Sequence, residues 1–410
     1  MRIVFTVQRY GEEIAGGAEQ HCRWLAESLV ARGHDVHVVT SRALDYMTWK
    51  DHHPAGDSDV NGVSVHRFDV ERTRDIARFN RIAEQIDFLN HTTPRALERL
   101  WLREQGPSLV GARSWLRANA PDFDVAIPFT YLYATSQIAT ESLHGRLPIV
   151  MHATAHDEFP FHLRLIGEEL SMVDEFLCST PEEEALIQRR LGGRATTHVV
   201  GIGVDLVKPG DRSETLRRLD LPVDPYFVVL GRIDPSKGVD AAAEMFSRWR
   251  SERSRPVNLV AIGGRSSAYD GLEFGDGVFS TGFVDETTKS TLLHGAIGLI
   301  QPSPYESFSL ALCEGWLAGI PSLSTKVSDV LAGQTERSGA GLLYDDEKEY
   351  AVGLTTLADD RALAMQLGEN GRRFVKVNFV SADVVTRIER ILVEAARKFD
   401  RSGSGPTNPS

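Results

Sequence analysis

Short apolar, β-branched runs alternate with stretches of helical periodicity along the whole chain. In the first half the runs cover residues 2–7, 35–40, 63–68, 124–129, 148–155, 175–178 and 197–200. Most are apolar on both faces, as parallel strands covered by helices on each side require. A helical stretch over 18–32 follows the first run and closes at Gly33, a residue suited to a helix C-terminus. The pattern then restarts. Residues 225–231, 257–263, 277–284, 296–301 and 321–324 read as strands, and 240–249, 287–294 and 308–318 as helices. Two consecutive β-α series predict an α/β protein of two doubly wound domains, with the crevice between them as the expected ligand site. The stretch 201–224, rich in Pro, Gly and charge, is the expected boundary. Near the end, 382–399 reads as one amphipathic helix with Val385, Ile388, Ile391, Leu392 and Ala395 on one face. Residues 401–410 carry no apolar side chain that could order them and read as a disordered tail.

Composition narrows the possibilities. The 410 residues leave room for two or three domains, and 42% apolar with 25% charged side chains is ordinary for a globular protein with a core. Acidic side chains outnumber basic ones 57 to 45, a net charge of −12, so the basic footprint of a nucleic-acid binder is missing and no such partner is expected. No apolar run reaches the roughly 18 residues that a membrane-spanning helix needs. No signal-peptide pattern is read at the start. Cys22, Cys178 and Cys313 lie far apart in apolar stretches and form neither a disulfide framework nor a metal motif. They read as reduced core residues of a cytoplasmic protein. Residues 67–117 hold ten Arg against seven acidic side chains, with Phe79, Phe88, Leu97, Trp101 and Trp115 among them. The segment reads as a solvated helical insertion with an apolar inner face. The sharper alternative is an acceptor-binding lip that tolerates anionic surfaces, a peripheral membrane contact included.

Four stretches carry chemistry. In 302–321, PSPYESFSLALCEGWLAGIP, a strand leads into a helix that starts near Ser307, Phe308 and Ser309. Free N–H groups and the helix dipole make such a point an anion site. Glu306 stands just before the helix and Glu314 eight residues later. A carboxylate there is a poor phosphate ligand but a good acceptor for paired sugar hydroxyls, so Glu306 suits a hexose and Glu314 a ribose. The plain alternative is a dipole contact for Glu306 and a surface ion pair for Glu314. The second stretch, 231–240, puts Arg232 and Lys237 in the turn leaving a strand, where two cations suit a diphosphate. Third, Gly16 and Gly17 open the first helix and let backbone approach a ligand, although the dinucleotide fingerprint is absent. Fourth, MHATAHDE places His152 and His156 near a strand's end. On a strand their separation is about 13 Å, too far for one zinc ion, so no metal is expected. A strand-end His facing the crevice is a candidate for bonding a substrate hydroxyl, the alternative being a core histidine.

In order, Gly16-Gly17-Ala18-Glu19, His156-Asp157-Glu158, Gly203-Val204-Asp205, Gly231-Arg232 with Lys237-Gly238, Gly282-Phe283-Val284 and the Glu306/Glu314 pair resemble the retaining glycosyltransferases of glycosyltransferase family 4, which have the GT-B fold. The resemblance covers almost the whole chain. It implies an acceptor-binding domain over 1–203, a nucleotide-sugar-binding domain over 204–380, and a helix over 381–400 returning to the first domain. It further implies transfer of a hexosyl group from a nucleoside-diphosphate sugar (UDP favoured, GDP open) by a metal-independent front-face reaction with no cofactor. Arg232 and Lys237 would neutralise the diphosphate, helped by backbone at Gly17 and at Phe308, Ser309 and Leu310. Glu306 would contact sugar hydroxyls, Glu314 the ribose, Val284 the nucleobase by its backbone, and His156 the transferred sugar. Ser309 stands where the family commonly has Gly, so its side chain is expected to narrow the donor pocket or add a hydrogen bond. The acceptor is open among a glycan, a lipid-linked sugar and a small aglycone. Competing readings are another GT-B enzyme, such as a UDP-sugar 2-epimerase or a sugar phosphorylase, and a catalytically silent binding subunit.

Overall fold

The computed structural model describes residues 1–14, 16–87, 92–265 and 274–403. The chain divides into two units, Met1–Val200 with Val385–Ser410, and Gly201–Val384.

The first unit is built on β1 (Arg2–Thr6), β2 (Asp35–Ser41), β3 (Gly56–Val60), β4 (Val63–Phe68) and β5 (Val125–Pro128), in the order β3-β4-β2-β1-β5. β6 (Val150–Met151), β7 (Glu175–Cys178) and β8 (Thr197–Val199) form a second run. Parallel bridges Ala126–Ile149 and Phe129–His152 join it to β5. Every pairing is parallel except that of β3 with β4. β3, Gly-Asp-Ser-Asp-Val, carries almost no apolar signal and is not foreseen from the sequence. Its turn is legible in retrospect, because Asn61 and Gly62, at φ 54° and 83°, form the two-residue hairpin loop that an Asn-Gly pair favours. The strand expected over 148–155 stops at Met151, because the backbone leaves the sheet for a left-handed residue at Thr154.

In the second unit β9 (Tyr226–Leu230), β10 (Asn258–Ile262), β11 (Val278–Gly282), β12 (Leu299–Gln301), β13 (Ser322–Thr325) and β14 (Gly341–Tyr344) make a parallel sheet ordered β11-β10-β9-β12-β13-β14 among the described residues. This is the strand order of a Rossmann sheet, with its switch point between β9 and β12. Along β9, Tyr226 and Val228 enter one core while Phe227 and Val229 enter the other. Both faces are covered, which is why the run is apolar throughout.

The final helix, Ser381–Gly403, packs by Ile388, Ile391 and Leu392, all buried. Glu389 holds Arg32 and His34, each at 2.8 Å, and Lys398 reaches Glu175 at 2.9 Å. Residues 401–403 continue this helix, in place of the start of a disordered tail; 404–410 lie outside the described residues. The segment 67–117 contributes helices Ile76–Ala83, Arg95–Gln105 and Ala112–Asn119. Trp101 is buried, and Phe79 and Leu97 pack against the same core, whereas Phe88 lies outside the described residues.

Candidate active site

In the second unit, two of the candidate residues, Lys237 and Glu306, meet at the switch point. After β9 the chain passes Gly231, at φ 139°, and crosses the exit of β10 so closely that a Cβ on Gly263 would meet the Gly231 carbonyl at 2.0 Å. Asp234 then caps a short 3-10 turn, Pro235–Lys237, by accepting the Ser236 N–H at 3.0 Å. Gly238 follows at φ 65°, where a Cβ would lie 2.9 Å from the Pro302 carbonyl oxygen. A glycine is therefore required on two counts, left-handed backbone and close approach to the chain leaving β12. That approach brings Lys237 to Glu306: Nζ donates to Oε1 at 2.7 Å, with 30% and 14% of the two side chains exposed. Arg232 is the more open cation, its side chain 45% exposed and its Nε 3.8 Å from Asp234.

Past Glu306 and the partly buried Ser307, the chain enters the helix Leu310–Ala318. Ser309 is its N-cap. The Ser309 hydroxyl oxygen accepts the Leu312 N–H at 3.3 Å and the Gln301 side-chain N–H at 2.9 Å, and the Ser309 N–H donates to Gln334 at 3.0 Å. The residue is 2% exposed. Its hydroxyl oxygen thus serves the helix end and the end of β12. The Phe308 ring is buried edge-on against Phe379 at 5.0 Å, and the partly buried Leu310 packs on the same core.

Glu314 lies on that helix and accepts from Lys289 Nζ at 2.7 Å, both side chains mostly buried. Lys289, on the helix Glu286–His294, also meets Glu286 at 2.8 Å. Burial opposes the charge on Lys289, but the two glutamates together raise its pKa above the ordinary lysine range. Burial also holds the Glu314 carboxyl above its ordinary value, with Lys289 pulling against it. Sequence reasoning found Glu314 and missed Lys289, since nothing in spacing links residues on two different helices. Val284 precedes the cap of the Lys289 helix, its side chain packed on the core.

In the first unit, Gly16 caps the helix Gly17–Val30. A Cβ on Gly16 would strike the Glu19 carboxylate at 2.0 Å, whereas Gly17 faces open space. Glu19 folds back because Arg9 grips it, Nη2 at 2.6 Å and Nε at 3.0 Å, and both residues are buried. This ion pair beside the double glycine was also missed; the only sign of it was the acid following the glycines.

His152 and His156 separate in role. His152 is fully buried, stacked on Phe129 at 4.8 Å and met edge-on by His21 at 4.4 Å. Burial drives its pKa down to about 3, so it is a neutral core residue. His156 is partly exposed, its Nδ1 3.4 Å from Glu158 Oε1, which accepts from the Tyr131 hydroxyl at 2.6 Å. Asp157 turns away to His162 at 2.7 Å. Among the described residues no three His, Cys, Asp or Glu side chains are placed to hold a metal, and no helix is long and apolar enough to cross a membrane.

Comparison with known proteins agrees over both units. Residues 16–203 match the family model of the glycosyl transferase 4-like domain, and 211–374 that of glycosyl transferases group 1. The chain is 26% identical over 420 residues to a glycogen synthase of Mycobacterium tuberculosis, covering 97% of this chain and 95% of that protein. It is 30% identical over 308 residues to a D-inositol 3-phosphate glycosyltransferase of a Nocardioides species, covering 64% and 66%. Among solved structures, sucrose-phosphate synthase from Thermosynechococcus elongatus superposes with a TM-score of 0.72 at 17% identity, over 96% of this chain and 98% of that one. Anabaena HepE in complex with UDP and glucose gives 0.68 at 16%, over 96% and 100%. With a glycosyltransferase model matching each half and the fold shared from end to end with such enzymes, the chain is a glycosyltransferase of the GT-B type.

Proposed function

We propose that the protein is a retaining hexosyltransferase that uses a nucleoside-diphosphate sugar, a UDP-sugar in the first place, and needs no metal or other cofactor. The observation that carries this reading is the Lys237–Glu306 contact at the switch point of the second sheet. It sets a diphosphate cation beside a sugar-hydroxyl acceptor, next to the first turn of a helix. UDP as the base carrier is supported by the UDP complexes of the HepE neighbour.

In the reaction, the bond from the anomeric carbon to the β-phosphate oxygen breaks and a bond to the acceptor hydroxyl oxygen forms on the same face. The acceptor proton leaves on the diphosphate. Negative charge grows on that diphosphate; within the second unit Arg232, Lys237 and the backbone at Phe308 to Leu310 stabilise it, and the backbone at Gly17 is the contact proposed for the first unit. Glu306 accepts hydroxyls of the hexose, Glu314 those of the ribose, and Val284 meets the base through its backbone. His156 bonds a hydroxyl of the transferred sugar. The acceptor is a hydroxyl-bearing glycan, lipid-linked sugar or aglycone. Three free, buried cysteines suit the reducing cytoplasm, where nucleotide sugars serve as donors.

A thermal-shift screen with UDP, GDP, ADP and TDP in EDTA tests the reading. A ligand at 100 times its Kd adds about 2.7 kcal/mol, a shift of several degrees. The expected result is a shift with UDP, reduced in Arg232→Ala, together with a loss of turnover on the order of a hundredfold in that variant. No shift with any nucleoside diphosphate, or unchanged turnover in the variant, overturns it.

A further inference from the structure

A buried carboxylate outside these sets is aimed at the segment that carries His156. Glu183 stands in the first turn of the helix Pro181–Arg190 and is 1% exposed. Its position, three residues after the capping Thr180, is the one from which a glutamate ordinarily reaches back to its own helix end. Thr180 does accept the Glu183 N–H, at 3.2 Å. The carboxylate also reaches beyond its own helix. Oε2 accepts the Ser179 N–H at 2.6 Å, and Oε1 leaves the helix altogether to accept the Ala155 N–H at 2.7 Å. Ser179 follows β7 and Ala155 follows β6, so one side chain ties the exits of two neighbouring strands.

The tie falls at a strained point. Thr154, the residue before Ala155, has φ 49°, a left-handed conformation that a β-branched residue avoids and that persists only where its surroundings over-determine it. Ala153 is fixed through its carbonyl by the Tyr131 N–H at 3.1 Å, and Glu158 through its carboxylate by the Tyr131 hydroxyl. His156 therefore sits on a short stretch held on both sides, and Glu183 holds the side next to the strain. We propose that Glu183 is a positioning residue: through the Ala155 amide it keeps the left-handed turn at Thr154 in the conformation that presents His156 to its sugar. This rests on the role given to His156 above. A carboxylate is required because both oxygens accept at once; an amide would set its own N–H against one of the two donors.

The test is Glu183→Gln in the full chain. Hydrogen–deuterium exchange of a peptide spanning 152–158 is expected to quicken by about tenfold or more, with the rest of the unit unchanged. Unchanged exchange there overturns the proposal, and it does so whether or not the enzyme has a known substrate. In transfer assays kcat is expected to fall by about ten- to a hundredfold at a donor KM within about twofold of wild type. Adding Thr154→Gly, which removes the strain to be held, is expected to restore part of that loss, a coupling that a merely structural carboxylate does not give. Loss of kcat that tracks melting temperature and is indifferent to Thr154→Gly overturns the proposal. Should the Gln variant fail to fold, Glu183→Asp, one methylene shorter and able to reach a single amide, answers the same questions. A wild type that turns over no nucleoside-diphosphate sugar tells against the transferase reading alone, and exchange still decides the role of Glu183.

Discussion

In the ribose-binding role proposed for Glu314, Lys289 is the neighbour that favours the ionised carboxylate. Burial favours the protonated form of Glu314, and a protonated carboxyl accepts fewer hydroxyl hydrogen bonds than an ionised one. The ammonium at 2.7 Å opposes that shift and fixes one oxygen. Removing one partner of a largely buried pair leaves the other uncompensated, which costs more than the pair itself is worth. Lys289→Met is therefore expected to raise the Kd for UDP by about tenfold, a loss of roughly 1.4 kcal/mol. The sign of the pH effect follows from the same argument. The carboxyl pKa, already above its ordinary value, rises further in the variant, so binding weakens with falling pH and does so from a higher pH than in wild type. Calorimetric titration of UDP across pH, with Lys289→Arg as the charge-preserving control, checks both statements. Equal affinities in all three proteins would remove Lys289 from the site.

At the level of the elements, Ser309 is the instructive case. A hydroxyl where a glycine is usual looks from sequence like a change in the donor pocket. The structure uses it to cap the helix Leu310–Ala318 and to tie that cap to Gln301. Ser309→Ala should thus lower stability by about 1 kcal/mol, the ordinary cost of losing a cap, and leave the preference among donor sugars as it was. Unfolding curves and a donor panel separate the two effects, and a changed donor preference would return the side chain to the pocket. The same contrast marks what could be read in advance. Strands buried on both faces, such as β9 and β10, announce themselves because covering by helices on each side leaves no polar positions. β3 does not, because an exposed edge strand needs no apolar residues. Arg232, Lys237, Glu306 and Glu314 were legible as candidates because loop ends and helix starts have residue signatures. Their partners were not, because Lys289–Glu314 and Arg9–Glu19 are contacts that only the packed sheet brings about. Lys237–Glu306 lies between: both residues were found, and their contact depends on the Gly238 backbone passing Pro302.

For the whole molecule, a net charge of −12 means that the diphosphate binding proposed above must come from locally placed cations and helix ends, since the overall field repels such a ligand. All the proposed nucleotide contacts except those at Gly16 and Gly17 belong to the unit Gly201–Val384. The chain does not end there. From Val385 it belongs to the first unit, where Ile388, Ile391 and Leu392 are buried and Glu389 and Lys398 form ion pairs. Burying three such side chains contributes about 5–9 kcal/mol at roughly 1.5–3 kcal/mol each, as an upper estimate. That is comparable with the whole stability of a typical domain, about 5–15 kcal/mol. The exposed ion pairs add little to this. Ending the chain after Val384 is therefore expected to unfold or greatly weaken the unit Met1–Val200 while sparing the unit Gly201–Val384, because the second unit has its own two cores. Calorimetry should show the two units melting apart, and limited proteolysis should leave a fragment beginning near Gly201. That fragment should still bind UDP more tightly than its Arg232→Ala form, since Arg232, Lys237, Glu306, Lys289 and Glu314 all remain within it. A truncated chain that melts as the full one does would show that the first unit holds without its last helix.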